Sequence, residues 1–152
     1  PDRLCSTNYS LNYARTGAKV FTGTITAILL GTLIWTIVVL APFLHVTIDI
    51  KTTESTVNVS SCGYTSSINI DDIIELKLMD KLPDDHFFKS NGGATESYLV
   101  GRFKGNTYGK CSLYIFKDVS PVLMIKTADQ TVFLNSKKDG EIVNLYNAIK
   151  NE

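Results

Sequence analysis

The sequence has few of the residues on which common catalytic and metal sites are built. It contains two histidines, His45 and His86, and three cysteines, Cys5, Cys62 and Cys111. The cysteines are odd in number, and their spacings match no zinc or redox motif. The chain also has no glycine-rich phosphate loop and no nucleophile elbow. These absences argue against an enzyme and predict no catalytic residue, no metal site and no cofactor.

An excess of charge of one sign is also missing. Lysine and arginine together number 15, aspartate and glutamate 15, and the formal net charge is zero. Nucleic-acid binding depends on many cations that neutralise phosphates, so the composition predicts no nucleic-acid partner. The thiols are read as isolated small hydrophobes. A Cys62–Cys111 bridge stays open as an alternative if the protein faces an oxidising compartment.

A long uncharged run occupies residues 20–44, "VFTGTITAILLGTLIWTIVVLAPFL". As a helix it would extend about 37 Å, enough to cross a hydrocarbon layer of about 30 Å. Its threonines do not oppose insertion, because a helical threonine can hydrogen-bond a carbonyl of the preceding turn. A secretion signal fits less well, since the run is longer than a usual signal core and no clear cleavage site follows it. A core helix of a soluble protein seldom needs this length, so the run predicts a helix that spans the lipid bilayer.

The predicted helix divides the chain into three parts. Residues 1–18 form an N-terminal flanking segment, residues 19–44 the transmembrane helix, and residues 45–152 a charged and soluble domain. Because the chain begins with Pro1 and not with methionine, we expect further residues upstream. The sequence therefore predicts a protein of the cell membrane with at least one span.

Three small residues share one face of the predicted span. Gly23, Ala27 and Gly31 are spaced four residues apart. Small residues at this spacing let a second helix approach closely. The pattern predicts a helix–helix contact and hence a homo-oligomer, although small residues are also common in spans without such a contact.

After the apolar run, the sequence alternates between apolar and polar residues with the period of half-buried strands. Turn residues such as Asn91-Gly92-Gly93 and Ser120-Pro121 separate the runs. The short intervals predict antiparallel strands joined by hairpins. The predicted strands lie in residues 45–51, 56–60, 65–70, 73–80, 97–104, 110–117, 122–127 and 131–135.

The period changes once more near the C-terminus. Ile142, Leu145, Tyr146 and Ile149 fall on one face of a helix predicted over residues 138–150. Ser136 or Asp139 is expected to cap its start. The fold class is therefore mainly β, an antiparallel roll or partly open barrel that is capped by a C-terminal helix.

The domain resembles the bacterial pleckstrin-homology-like (PH-like) family of small membrane proteins over about residues 45–150. The resemblance rests on the order of several short motifs, most specifically "DKLP" at 80–83, "GRF" at 101–103, "YGK" at 108–110 and "PVLMIKT" at 121–127. Similar sequences often have Arg-Thr-Asn-Gly where this chain has Lys-Ser-Asn-Gly at residues 89–92. The resemblance implies a PH-like roll with an uncharacterised, non-enzymatic role, and it supplies no ligand.

A PH-like fold does not by itself predict a phosphoinositide ligand. Such a site needs several cations that converge on the first hairpin. The corresponding hairpin, "KTTEST" at residues 51–56, has one lysine and one glutamate. The sequence therefore argues against phosphoinositide binding and favours a protein or peptide partner.

Residues 81–96, "KLPDDHFFKSNGGATE", are predicted to be the least regular part of the domain. An aromatic anchor in this loop would suit a partner-binding site. Alternatively, the phenylalanines close the mouth of the barrel. Neighbouring acidic and histidine side chains seldom converge on one metal ion, so no metal site is predicted here. The candidate interaction residues are Asp84, Asp85, His86, Phe87 and Phe88.

These observations lead to two hypotheses of different classes. The first is a membrane-anchored, non-catalytic PH-like module that binds a protein or peptide. The second is a membrane-bound envelope enzyme with a thiol or carboxylate site in the region of residues 81–96, for example Cys111 with His86. Nucleophilic catalysis also needs an oriented base and an oxyanion site, and neither is visible in the sequence, so the first hypothesis is favoured.

The side of the membrane on which the domain lies receives two opposed indications. Arg3, Arg15 and Lys19 precede the apolar run, whereas Lys51 alone occurs shortly after it. Positive flanks tend to stay in the cytoplasm, so the charges favour an extracytoplasmic domain. PH-like domains of membrane proteins are often cytoplasmic, so the resemblance favours the opposite side. The local charges decide narrowly for the extracytoplasmic side.

Overall fold

The computed structural model describes residues 13–151. The chain divides into two compact units, with the boundary between Ala41 and Pro42. The first unit contains helix α1, Thr16–Leu40, and none of its residues is buried. Three threonine hydroxyls in α1 donate to carbonyls of the preceding turn, as expected for Thr in an apolar helix. These bonds join Thr24 to Val20, Thr32 to Leu29 and Thr36 to Thr32, with lengths of 2.8–2.9 Å.

Helix α1 ends a few residues before the end of the apolar run. Ala41–Phe43 form a single 3-10 turn. Pro42 explains this end, because proline has no amide hydrogen to donate to a carbonyl of the preceding turn, although Ala41 before it keeps a right-handed helical conformation. The apolar helical segment as a whole, Thr16–Phe43, is long and apolar enough to cross a membrane.

The second unit contains nine described strands and one helix. The strands are β1 (Asp49–Thr52), β2 (Thr56–Ser61), β3 (Tyr64–Asn69), β4 (Glu75–Met79), β5 (Phe87–Ala94), β6 (Tyr98–Gly105), β7 (Gly109–Phe116), β8 (Val122–Lys126) and β9 (Thr131–Leu134). Helix α2 follows at Glu141–Lys150. The mainly β fold class with a C-terminal helix is confirmed.

The strands form two sheets. The first sheet has the order β1-β2-β3 and is antiparallel throughout. The second has the order β4-β8-β9-β7-β6-β5, so its edges do not meet and the roll stays open. One pair in it, β7 with β9, is parallel, which a succession of simple hairpins does not produce. Strand β9 runs antiparallel to β8 but lies between β8 and β7, so it is parallel to β7 on its other side.

Strand β5 occupies half of the segment that the sequence predicts to be irregular, so the prediction holds for residues 81–86 and is wrong for residues 87–94. The sequence predicts a turn at the glycines of this segment, but Gly92 instead permits a close approach of two strands. Gly92 pairs with Gly101 of β6, and both have positive φ values, 152° and 122°. A Cβ atom on Gly92 would lie 2.2 Å from the carbonyl oxygen of Val100. Only glycine fits both positions, so β5 and β6 can coil tightly against each other.

Apolar side chains cover both faces of the second sheet. One face packs against the first sheet and α2, and this larger core includes the fully buried Val57, Val132 and Leu134. The opposite face has a smaller core around Leu113 and Phe133, which partly buried side chains such as Leu82 cover. Each fully buried side chain of this kind contributes about 1.5–3 kcal/mol of transfer free energy.

Helix α2 begins later than predicted but buries the predicted face. Ile142, Leu145 and Ile149 are buried against the larger core. The predicted caps are wrong, because the N-cap is Gly140, in a left-handed conformation and without a side-chain cap. The Ser136 hydroxyl is occupied elsewhere: it donates to the Glu141 carboxylate and accepts the amide of Lys138.

A buried asparagine, Asn135 directly after β9, holds the loop that follows β7 through hydrogen bonds. The Asn135 side-chain amide donates to the carbonyl oxygens of Phe116 and Val119 at 2.7 and 2.8 Å. Its side-chain oxygen accepts the Phe116 amide at 2.8 Å. Asn135 is fully buried, so each lost partner would leave a polar group without compensation.

Candidate functional site

The apolar helix is the first candidate surface. Its side chains are exposed all round, and Trp35 is 68% exposed. The predicted small-residue face, Gly23, Ala27 and Gly31, lies within α1, and there is open space where a Cβ atom would stand on either glycine. This geometry leaves room for a second helix to approach, and the homo-oligomer stays a prediction.

The segment before β5 is held by one of its acidic residues. Oδ2 of Asp85 accepts the Thr107 amide at 3.1 Å, and Oδ1 accepts the His86 amide at 2.9 Å. Thr107 lies in the turn between β6 and β7, so Asp85 fastens the segment to that turn. Asp84 and His86 are exposed. Asp85 therefore has a structural role, which its position beside Asp84 in the sequence does not reveal.

The two phenylalanines that follow are separated by the alternation of a strand. Phe87 is half-buried and packs edge-on against Phe133, with ring centroids 5.7 Å apart. Tyr108 completes this aromatic group at 5.1 Å from Phe133. Phe88 points away from the group and is 61% exposed. The prediction that both lie in one irregular loop is wrong: Phe87 covers the smaller core, and Phe88 is free to contact a partner.

The described residues do not assemble a metal site. In residues 13–151, no group of three histidine, cysteine, aspartate or glutamate side chains is placed to hold an ion. In particular, Asp84, Asp85 and His86 do not form such a group.

The two described cysteines lie apart and are free. Cys111 is buried in the smaller core, whereas Cys62 packs beside the larger core and its thiol donates to the carbonyl oxygen of Pro42 at 3.3 Å. The open alternative of a Cys62–Cys111 bridge is therefore wrong. Cys5 lies outside the described residues.

The thiol of Cys111 is poorly suited to nucleophilic attack. Burial raises its pKa above the ordinary value, and the nearby Asp85 carboxylate adds to the rise. A raised pKa keeps the thiol protonated at neutral pH, whereas a nucleophile needs the thiolate. No hydrogen bond joins Cys111 to His86 among the described residues. The geometry therefore offers no support for the Cys111–His86 hypothesis.

A cationic surface lies on strands β5 to β7 and was not predicted from the sequence. Phe88 pairs with Lys104, and Lys104 pairs with Lys110. Directly paired residues of an antiparallel sheet point to the same face. Arg102, two residues before Lys104 on β6, lies on that face too. We call Phe88, Arg102, Lys104 and Lys110 the basic surface.

The feature that reveals the basic surface is the pairing register of β5, β6 and β7. Its residues are spread over three strands, between residues 88 and 110, and each of its three cations has uncharged neighbours on both sides in the sequence. A linear pattern therefore shows no cluster. The sequence predicts a loop where β5 lies, and it therefore gives no register for this strand.

The fold and the motifs are those of a PH-like domain, and the family assignment agrees. Residues 48–148, about two thirds of the chain, match a family described as the bacterial PH domain. The chain belongs to this family, which confirms the resemblance seen in the motifs. No curated protein and no solved structure matches the chain.

Proposed function

We propose that the chain is a membrane-anchored, non-catalytic module whose PH-like domain binds a protein or peptide partner at the bilayer surface. The observation that carries this proposal is the exposure of α1, in which no residue is buried. A helix that is apolar on all sides needs lipid or another helix around it. Lipid provides this cover without any further partner.

The second unit supports the binding role. It is a separate compact unit with its own apolar core, as expected of a domain held near its target by an anchor. Membership of the bacterial PH domain family favours binding over catalysis. The described part of the chain offers no convergent catalytic group that would favour an enzyme.

Extraction of membranes tests the anchor. The full chain should stay in the membrane pellet through carbonate and high salt and should need detergent for release. A chain that starts at Pro42 is the matched control and should be soluble and folded. It has to include Pro42 and Phe43, because their carbonyl oxygens accept bonds from Cys62 and Tyr98 at 3.3 and 3.2 Å. Release of the full chain by carbonate alone would refute the anchor.

A further inference from the structure

The basic surface combines three cations with an exposed aromatic ring. Arg102, Lys104 and Lys110 are all exposed, and Phe88 lies in the same row as the two lysines. Paired Cβ atoms on neighbouring strands are about 5 Å apart, so the row Phe88–Lys104–Lys110 covers roughly 10 Å. This is a compact surface on which cations and an apolar group act together.

The cations of the basic surface lack an acidic partner within the domain. Within residues 13–151, the ion pairs join Lys126 to Glu75 and Lys138 to Glu141, and neither involves this surface. Lys104 and Lys110 stand directly opposite each other, an arrangement of like charges that is destabilising in a sheet. An external anion would relieve this repulsion.

A shallow depression beside the row contains further polar groups. Its volume is about 440 Å³, and it is lined by Arg102, Lys110, Ser90, Ser112, Gln130 and Asp129 among others. Asp129 is the one acidic side chain that lines it, and it forms no ion pair with either cation. The hydroxyl and amide groups can donate to a carboxylate beside the cations.

The position of the basic surface along β5 bears on the source of the anion. The ring of Phe43, the last residue of the apolar helical segment, packs against Gly93 near the end of β5. From Gly93 back to Phe88 the strand covers about 17 Å. The basic surface therefore lies about that distance along β5 from the residue at which the chain enters the domain. A protein segment fits this surface better than a lipid headgroup, because it can supply several carboxylates for the cations together with an apolar side chain for Phe88.

We propose that the basic surface binds an acidic segment of a protein partner. Carboxylates of the segment pair with Arg102, Lys104 and Lys110, and one of its apolar side chains covers Phe88. This inference rests on the proposed binding function and names the chemistry of its partner.

Peptide binding to the full chain in uncharged detergent micelles tests this inference. The probe is a fluorescent synthetic peptide in which glutamate alternates with leucine, and binding is measured by fluorescence anisotropy. We expect saturable binding that weakens as salt is added, and much weaker binding of the counterpart with glutamine in place of glutamate. Lys104→Gln or Lys110→Gln should each weaken binding by about 1.4- to 5-fold, and the double variant by roughly tenfold.

Matched controls separate this surface from a general charge effect. The exposed lysines Lys51 and Lys117 lie elsewhere on the domain, and their double substitution by glutamine should leave the affinity unchanged. Phe88→Ser should weaken binding of the glutamate–leucine peptide more than it weakens binding of a glutamate–serine peptide. The double variant at Lys104 and Lys110 should unfold at the same or a higher denaturant concentration than wild type, because like-charge repulsion is removed.

Three results would overturn the inference. They are no saturable binding of the glutamate–leucine peptide, equal loss of affinity in the control variant, and displacement of the peptide when phosphatidylglycerol is added to the same micelles. None of these depends on the anchor, because the assay is made in micelles. A chain that carbonate releases but that still binds the peptide would refute the anchor and leave this inference standing.

Discussion

Truncation of one buried leucine in α2 gives a quantitative test of the roll. Leu145 is 6% exposed and packs into the larger core. Leu145→Ala removes apolar contacts and leaves a cavity that the sheet beneath cannot fill completely. Such substitutions cost about 2–5 kcal/mol. With a urea dependence of about 2 kcal/mol per molar, the middle of the usual range, the unfolding midpoint should fall by about 1–2.5 M.

The assay should use the chain that starts at Pro42, and circular dichroism should monitor its unfolding in urea. The one tryptophan, Trp35, lies in α1, so tryptophan fluorescence does not report on the domain. Val143→Ala is the matched control, because Val143 lies on the same helix and is 38% exposed. Its effect should stay within about 0.5 kcal/mol. An equal midpoint for Leu145→Ala and wild type would mean that α2 does not cover the sheet.

Further predictions concern the buried polar groups and the anchor. Asn135→Ala should destabilise the domain by about 1–3 kcal/mol in a urea titration, since it strands buried backbone groups, and an unchanged midpoint would contradict this role. Burial raises the pKa of the Tyr114 hydroxyl above 10.0, so the folded state holds this proton more tightly. Stability should therefore fall as pH rises beyond that value, and less so in Tyr114→Phe; an identical fall in both would exclude Tyr114 as the cause. Gly23→Ile with Gly31→Ile should reduce crosslinked oligomers in membranes, whereas Ala18→Ile, on the opposite face of α1, should not. Unchanged crosslinking of the double variant would exclude the small-residue face.

Helices and strands whose apolar residues recur at a regular spacing could be predicted from the sequence. The alternation in residues 56–60 and the helical spacing of Ile142, Leu145 and Ile149 each report one buried face, and the structure buries those residues. Strand β5 could not be predicted in this way, because Gly92 is explained only by Gly101 on the neighbouring strand. A glycine that permits close approach looks the same in sequence as one in a turn.

The candidate site was predictable only in part. Phe88 could be named from sequence as an aromatic anchor, but Asp85 could not be recognised as the residue that fastens the β6–β7 turn. The cations of the basic surface come together through the register of three strands. Pairing of this kind is a property of the fold, so charge counts along the chain do not show it.

Labelling of the two flanks of α1 tests membrane spanning most directly. Single cysteines replace Ala14 or Asn151 in a chain with Cys5→Ser, Cys62→Ser and Cys111→Ala, and a membrane-impermeant thiol reagent is added to intact cells. If α1 spans the bilayer once, one position is labelled in intact cells and the other only after the cells are broken. The charges before the span predict that Asn151→Cys is the position labelled in intact cells. Labelling of both positions in intact cells, or of both only after breakage, would contradict the membrane-spanning anchor.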